Sequence, residues 1–131
     1  MTDGARSARF FFVAGAVSAA LAVAAGAFGA HGLRDLLTPE RMATFETAVR
    51  YQTTHALALL LVGLLAGRGA APRVLAWAGG LFLAGTVLFS GSLYALVLAD
   101  APWLGAVAPL GGAAFIGGWL ALAWYGRRRL A

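Results

Sequence analysis

Residues 26–55, GAFGAHGLRDLLTPERMATFETAVRYQTTH, decide how this chain is read. The stretch holds both histidines, three of the ten arginines and three of the five acids. Outward from it the sequence turns apolar. Upstream, residues 10–30 carry no charge, and downstream 56–66 are wholly apolar. Two more runs without charge follow, 74–98 and 104–126. A helix of about 20 apolar residues crosses the hydrocarbon core of a bilayer. The expected fold is therefore all-α: an integral membrane four-helix bundle, one domain over 1–131, with spans at about 10–30, 52–67, 74–98 and 104–126.

The second span needs the most argument. Thr38-Pro39-Glu40 reads as a helix start, with a capping threonine, proline in the first turn and an acid where the helix dipole favours it. Arg41 stands where a capping box needs Glu or Gln. From Pro39 the helical pattern runs unbroken to Ala66, about 42 Å at about 1.5 Å per residue. Met42, Phe45 and Val49 share one face, and Glu46 and Arg50 share another at i,i+4 in the favourable order. Because 56–66 is too short to cross alone, the span draws in Gln52, Thr53, Thr54 and His55 at or just below one membrane surface. That leaves 39–51 as an amphipathic segment, either projecting or lying in the interface.

Composition agrees with a lipid-facing surface. The chain is 61% hydrophobic and 11% charged, with a mean hydropathy of +0.81, whereas a soluble domain carries about a quarter charged residues. The net charge of +5 does not point to nucleic acid, because the arginines sit at the ends of the apolar runs, where membrane orientation is set. Four spans put Arg6, Arg9, Arg68, Arg73, Arg127, Arg128 and Arg129 on one side. Arg34, Arg41 and Arg50 lie on the other, with Asp35, Glu40, Glu46 and Asp100. The positive-inside rule then predicts both termini in the cytoplasm of a bacterial plasma (inner) membrane, and the bias argues against dual topology. The first apolar run exceeds the roughly 7–15 residues of a signal-peptide core, so a retained helix is expected. Its small residues recur at spacings of four, such as Ala16, Ala20 and Ala24, which suits close helix packing. With no cysteine, thiolate chemistry, disulfides, cysteine-ligated clusters and covalently attached c-type haem are excluded.

Few groups remain from which chemistry can be built. His31 ends the first span and His55 enters the second from the same side, so the two are candidate neighbours, with Glu46, Arg50 and Tyr51 completing a polar cluster. Paired histidines suit haem b, a quinone headgroup or a transition metal. Against this, each helix offers one ligand, and the plainer expectation is an imidazole bonded to a carbonyl or carboxylate at a helix end. For Glu46 and Arg50 the plainer expectation is a solvated pair worth a few tenths of a kcal/mol; the alternative is a pair reaching into the bundle to Tyr51, Gln52 or a histidine. Ser90, Ser92 and Tyr94 in FSGSLY (89–94) read as packing groups that bond a neighbouring helix or their own backbone. Trp77, Trp103, Trp124 and Tyr125 fall near span ends as interfacial anchors, and Trp119 does not. No phosphate loop, dinucleotide fingerprint or metalloprotease motif is present.

GAFGAHGL (26–33), FETAVRYQTTHALALL (45–60), FSGSLY (89–94), PLGG (109–112) and GW (118–119) occur in this order. The pattern resembles the small YgdD-like membrane protein family, also called domain of unknown function 423, with transmembrane protein 256-like relatives in eukaryotes. The resemblance covers about residues 10–125. It implies a four-helix inner-membrane protein with no established activity, and it supplies no catalytic residues.

The expected function is non-enzymatic: an accessory or structural subunit of a larger membrane complex, its partners the lipid bilayer and either other copies or other membrane subunits. The alternative is a haem-, quinone- or metal-binding protein using His31 and His55. A small multidrug-type transporter is disfavoured, since such transporters need an acid in the first span and 10–30 has none.

Overall fold

A computed structural model of the chain describes residues 3–69 and 73–130. Part of the predicted GRGAAPR turn (67–73) lies outside the described residues. Helix α1 (Asp3–Phe28) is prolonged by a π-helical turn, Gly29–Leu33. Helix α2 is Pro39–Gly67. Helix α3 (Arg73–Gly85) passes through a second π-helical turn, Thr86–Gly91, into α4 (Ser92–Leu98). A 3-10 turn, Pro102–Ala106, leads into α5 (Ala108–Arg129). The resulting four helices, Asp3–Leu33, Pro39–Gly67, Arg73–Leu98 and Pro102–Arg129, are long and apolar enough to cross a membrane. Among the described residues there is no strand.

The starts and stops follow local chemistry. Thr38 Oγ1 accepts the Arg41 N–H at 3.3 Å, and Pro39 occupies the first turn of α2. Pro109 lies in the first turn of α5, so it marks the start of that helix rather than kinking it. The first helix is longer than its uncharged run: it begins at Asp3 and continues past His31, leaving only 34–38 as the link. At the far end of the bundle, Arg41 on α2 pairs with Asp100 in the turn after α4.

α2 is the most buried helix, with α1 and the α3–α4 unit packed along it; α5 packs chiefly on α3. The α1–α2 contact is backbone on backbone. A Cβ at Gly15 would lie 2.8 Å from Ala56 O, and one at Gly63 would lie 2.7 Å from Phe12 N. In lipid, where apolar burial drives little association, such close approach maximises dispersion contact. One core cluster gathers Phe11, Leu59, Val62, Leu75, Phe82 and Phe115 towards the end that carries Arg6, Arg68 and Arg73. A smaller one joins Leu33, Phe45 and Val97 at the opposite end. Residues 39–51 therefore neither stand free of the bundle nor lie away from it: Phe45, Ala48 and Gln52 are buried within it, continuous with the rest of α2.

These contacts set a common depth. Gly29 abuts Phe45, Gly26 abuts Val49 and Gly15 abuts Leu59, so the uncharged run 10–30 of α1 lies level with about residues 44–64 of α2. From the other side, Phe45 meets Tyr94, Ser90 meets Ala48 and Tyr51 meets Phe89, which sets the uncharged run 74–98 against much the same length.

Candidate functional site

Halfway along α2, two polar side chains one turn apart face into the bundle. His55 is only 4% exposed and Gln52 is buried with it. His55 Nδ1 lies 2.7 Å from the Tyr51 carbonyl oxygen one turn back. On its other edge, Trp119 Nε1 of α5 donates to His55 Nε2 at 3.1 Å. An indole N–H can only donate, so Nε2 must accept. The imidazole is thus the neutral tautomer with its proton on Nδ1, given to the Tyr51 carbonyl. Its ring stacks on Phe115 with centroids 3.4 Å apart and planes 8° from parallel, and Phe82, Tyr51 and Trp119 complete the aromatic surround.

Gln52 turns the other way. Its Nε2 donates to the Ser18 carbonyl of α1 at 3.1 Å, and its Oε1 accepts the Tyr94 hydroxyl of α4 at 2.6 Å. A turn nearer the helix start, Ser90 Oγ donates to the Ala48 carbonyl at 2.8 Å. α2 is thereby fastened by side-chain hydrogen bonds to α1, to the π-helical turn, to α4 and to α5. Among the described residues, no buried side-chain nitrogen or oxygen lacks a partner.

The second π-helical turn, Thr86–Gly91, carries the first part of the FSGSLY motif. Hydroxyl groups at a helix turn can bond the carbonyl one turn back, as Thr53 and Thr54 also do in α2. Thr86 Oγ1 donates to Phe82 O at 2.8 Å, and Ser92 Oγ donates to Leu88 O at 2.6 Å. The widened turn also lets α5 approach, since a Cβ at Gly111 would lie 2.3 Å from Phe89 N. Ser90 and Ser92 thus do what the sequence suggested, one bonding a neighbouring helix and the other its own backbone.

Of the five residues of the expected polar cluster, only Tyr51 and His55 come together, their rings stacked 6.1 Å apart. His31 is exposed on the π-helical turn that ends the first helix, level with about residue 43 of α2. At about 1.5 Å per residue, roughly 18 Å of bundle separates it from the level of His55. The picture of two histidines at one surface is therefore corrected: His55 sits about halfway down the bundle because α2 enters it at residue 39 rather than 52. Glu46 and Arg50 are both exposed on the outer face of α2. Among the described residues neither makes an ion pair within 4.0 Å, so the expected i,i+4 pair is not formed. Tyr51 is partly exposed, with its ring 4.4 Å from that of Phe89. Among the described residues, no three His, Cys, Asp or Glu side chains come together as a metal-binding group.

Haem or metal ligation does not fit this geometry. His55 has both ring nitrogens engaged, and His31 is too far away to be the second ligand. An open groove of about 520 Å³ runs between α1, α2 and α4, lined by Leu21, Phe28, Phe45, Gln52 and Tyr94 among others. Its walls are nearly all apolar. Sequence reasoning missed Trp119 as a partner of His55. The available signal was its position: it is the one tryptophan that falls in the middle of a span.

The fold and its interior define a class: a four-span, all-helical membrane protein whose buried polar side chains join its helices. Residues 25–112 match the family described as "Protein of unknown function (DUF423)". The chain is 47% identical over 114 residues to a UPF0382 membrane protein of Staphylococcus epidermidis, covering 87% of this chain and 92% of that one. It is 44% identical, with the same coverage, to a UPF0382 membrane protein of Staphylococcus aureus. With the UPF0382 membrane protein YwdK of Bacillus subtilis it shares 45% over 112 residues, 86% of this chain and 91% of that one. The chain belongs to this family of membrane proteins. No solved structure matches it.

Proposed function

We propose that this protein is a non-enzymatic component of the bacterial plasma membrane, an accessory or structural subunit that works by packing against other membrane proteins. One observation carries the reading: among the described residues, each buried polar side chain is bonded to another helix or to its own backbone. A general base must reach a substrate proton, and an activated nucleophile needs a free base beside it. His55, the one buried imidazole, accepts from an indole that can only donate and gives its own proton to a carbonyl. Ser90 and Ser92 likewise bond carbonyls. The arginine distribution supports both termini in the cytoplasm. The antiparallel packing gathers Arg6, Arg9, Arg68, Arg73 and Arg127–Arg129 at one end of the bundle, with Asp3 the only acid there among the described residues.

Gentle detergent extraction of the tagged protein, with an absorption spectrum and mass spectrometry of what accompanies it, tests this reading. The expected result is a colourless, metal-free preparation with stoichiometric membrane-protein partners or further copies of the chain. A Soret band, or a clean monomer with no partner under mild conditions, would overturn it.

A further inference from the structure

We infer that α2 presents a self-complementary face on which a second copy of this chain docks within the membrane. The proposal rests on the subunit reading above and names the partner.

Glu46 and Arg50 occupy an unusual place. The uncharged runs of α1 and of α3–α4 lie level with about residues 44–64 of α2. Both charged residues therefore fall inside the length that the two neighbouring uncharged runs give to hydrocarbon, Arg50 by nearly two turns. Ionisable groups at that depth normally face a bundle interior or pair with one another. These two do neither, being exposed on the outer surface without an ion-pair partner among the described residues. They head a continuous stripe on the same face with Thr54, Leu57, Leu61 and Leu64, the three leucines being 58%, 44% and 56% exposed.

Charge complementarity selects the occupant. Two copies with the same topology that close into a dimer are related by a twofold axis along the membrane normal, and such an interface is isologous. It sets two α2 helices side by side, parallel and at equal depth. Side chains on a helix lean towards its N-terminus, and arginine has the longer side chain, so Arg50 can span the one turn, some 5.4 Å, between its level and that of Glu46. That brings its guanidinium level with Glu46 of the second copy, and the same pairing recurs across the axis. Two ion pairs form from four unpaired charges, and the threonine and leucines below them supply packing. A lipid offers no ordered acid and base at these two depths.

The chain has no cysteine, so single-cysteine variants of the full protein in native membranes give a clean test. Under copper phenanthroline, Thr54→Cys and Leu61→Cys should shift to a covalent dimer of twice 13.4 kDa. Val23→Cys on α1 and Ile116→Cys on α5, at positions 73% and 63% exposed, should stay monomeric. In the Thr54→Cys background, Glu46→Arg should abolish the dimer band, and adding Arg50→Glu should restore it. That rescue separates loss of docking from loss of folding. Equal cross-linking at 23 and 116, a mixed adduct with another protein at 54, or failure of the charge swap to rescue would each overturn the proposal. A cross-linked dimer that carried a chromophore would instead sink the subunit reading and leave this interface standing.

Discussion

Trp119 and His55 show how a single hydrogen bond can settle what a residue is for. Removing the indole donor by Trp119→Phe leaves His55 Nε2 unpartnered in the bundle. Hydrogen bonds between membrane helices average about 0.6 kcal/mol and reach about 1.7. Because this one leaves a buried acceptor behind, the upper half of that range is expected, read as lost unfolding free energy in denaturant-titrated mixed micelles. A second residue-scale contrast uses two glycines. At Gly111 an added Cβ meets the backbone of Phe89 at 2.3 Å, and at Gly80 it meets nothing within 4 Å. Gly111→Ala should therefore cost about 1–3 kcal/mol through forced separation of α5 from the π-helical turn. Gly80→Ala should be neutral or stabilise by up to about 1 kcal/mol through the unfolded chain. The same micelle titration checks both, and equal effects would show that α5 does not approach as closely as described.

Element boundaries were legible where a local group dictates them and opaque where a partner does. Thr38 and Pro39 announced the start of α2, because capping and a missing N–H act within one turn, whereas Pro109 alone left a kink and a helix start equally open. Thr38→Ala should cost about 1 kcal/mol. Asp100→Asn, which breaks the exposed pair with Arg41, should cost less than about 1 kcal/mol. That loss should shrink further in high salt, because exposed charges are screened; thermal melts at two ionic strengths separate the two variants. The π-helical turns at 29–33 and 86–91 were not legible, since each depends on what packs there: Phe45 against Gly29, and α5 against Phe89. The place of 39–51 in the bundle was not legible for a related reason. Charge pattern alone started the second span near Gln52, but Phe45 and Ala48 are buried against α1, the second π-helical turn and α4, which pulls 39–51 into the bundle. This moves His55 away from His31 and leaves Glu46 and Arg50 stranded on an outer face.

At the scale of the whole molecule, α2 is a central post to which the other three spans are tied, by Ser18, by Ser90 and Tyr94, and by Trp119. The four-span character was legible from apolar run length, and the family from five ordered motifs. The role of the buried polar groups was not, because a histidine in a span reads the same whether it ligates a cofactor or bonds an indole. The orientation argued from arginine placement predicts that Asp35→Cys is labelled by a membrane-impermeant maleimide on intact cells. Arg128→Cys should be labelled only after permeabilisation, and the reverse pattern would invert the topology. The central claim, that the interior polar groups are engaged by one another, is tested most directly by ¹⁵N NMR of the protein labelled at histidine and reconstituted in bilayers. His55 should show a protonated Nδ1 and an unprotonated Nε2, and Trp119→Phe should move the Nε2 resonance. An Nε2-protonated ring, a resonance displaced by a bound metal, or a signal indifferent to Trp119 would contradict it.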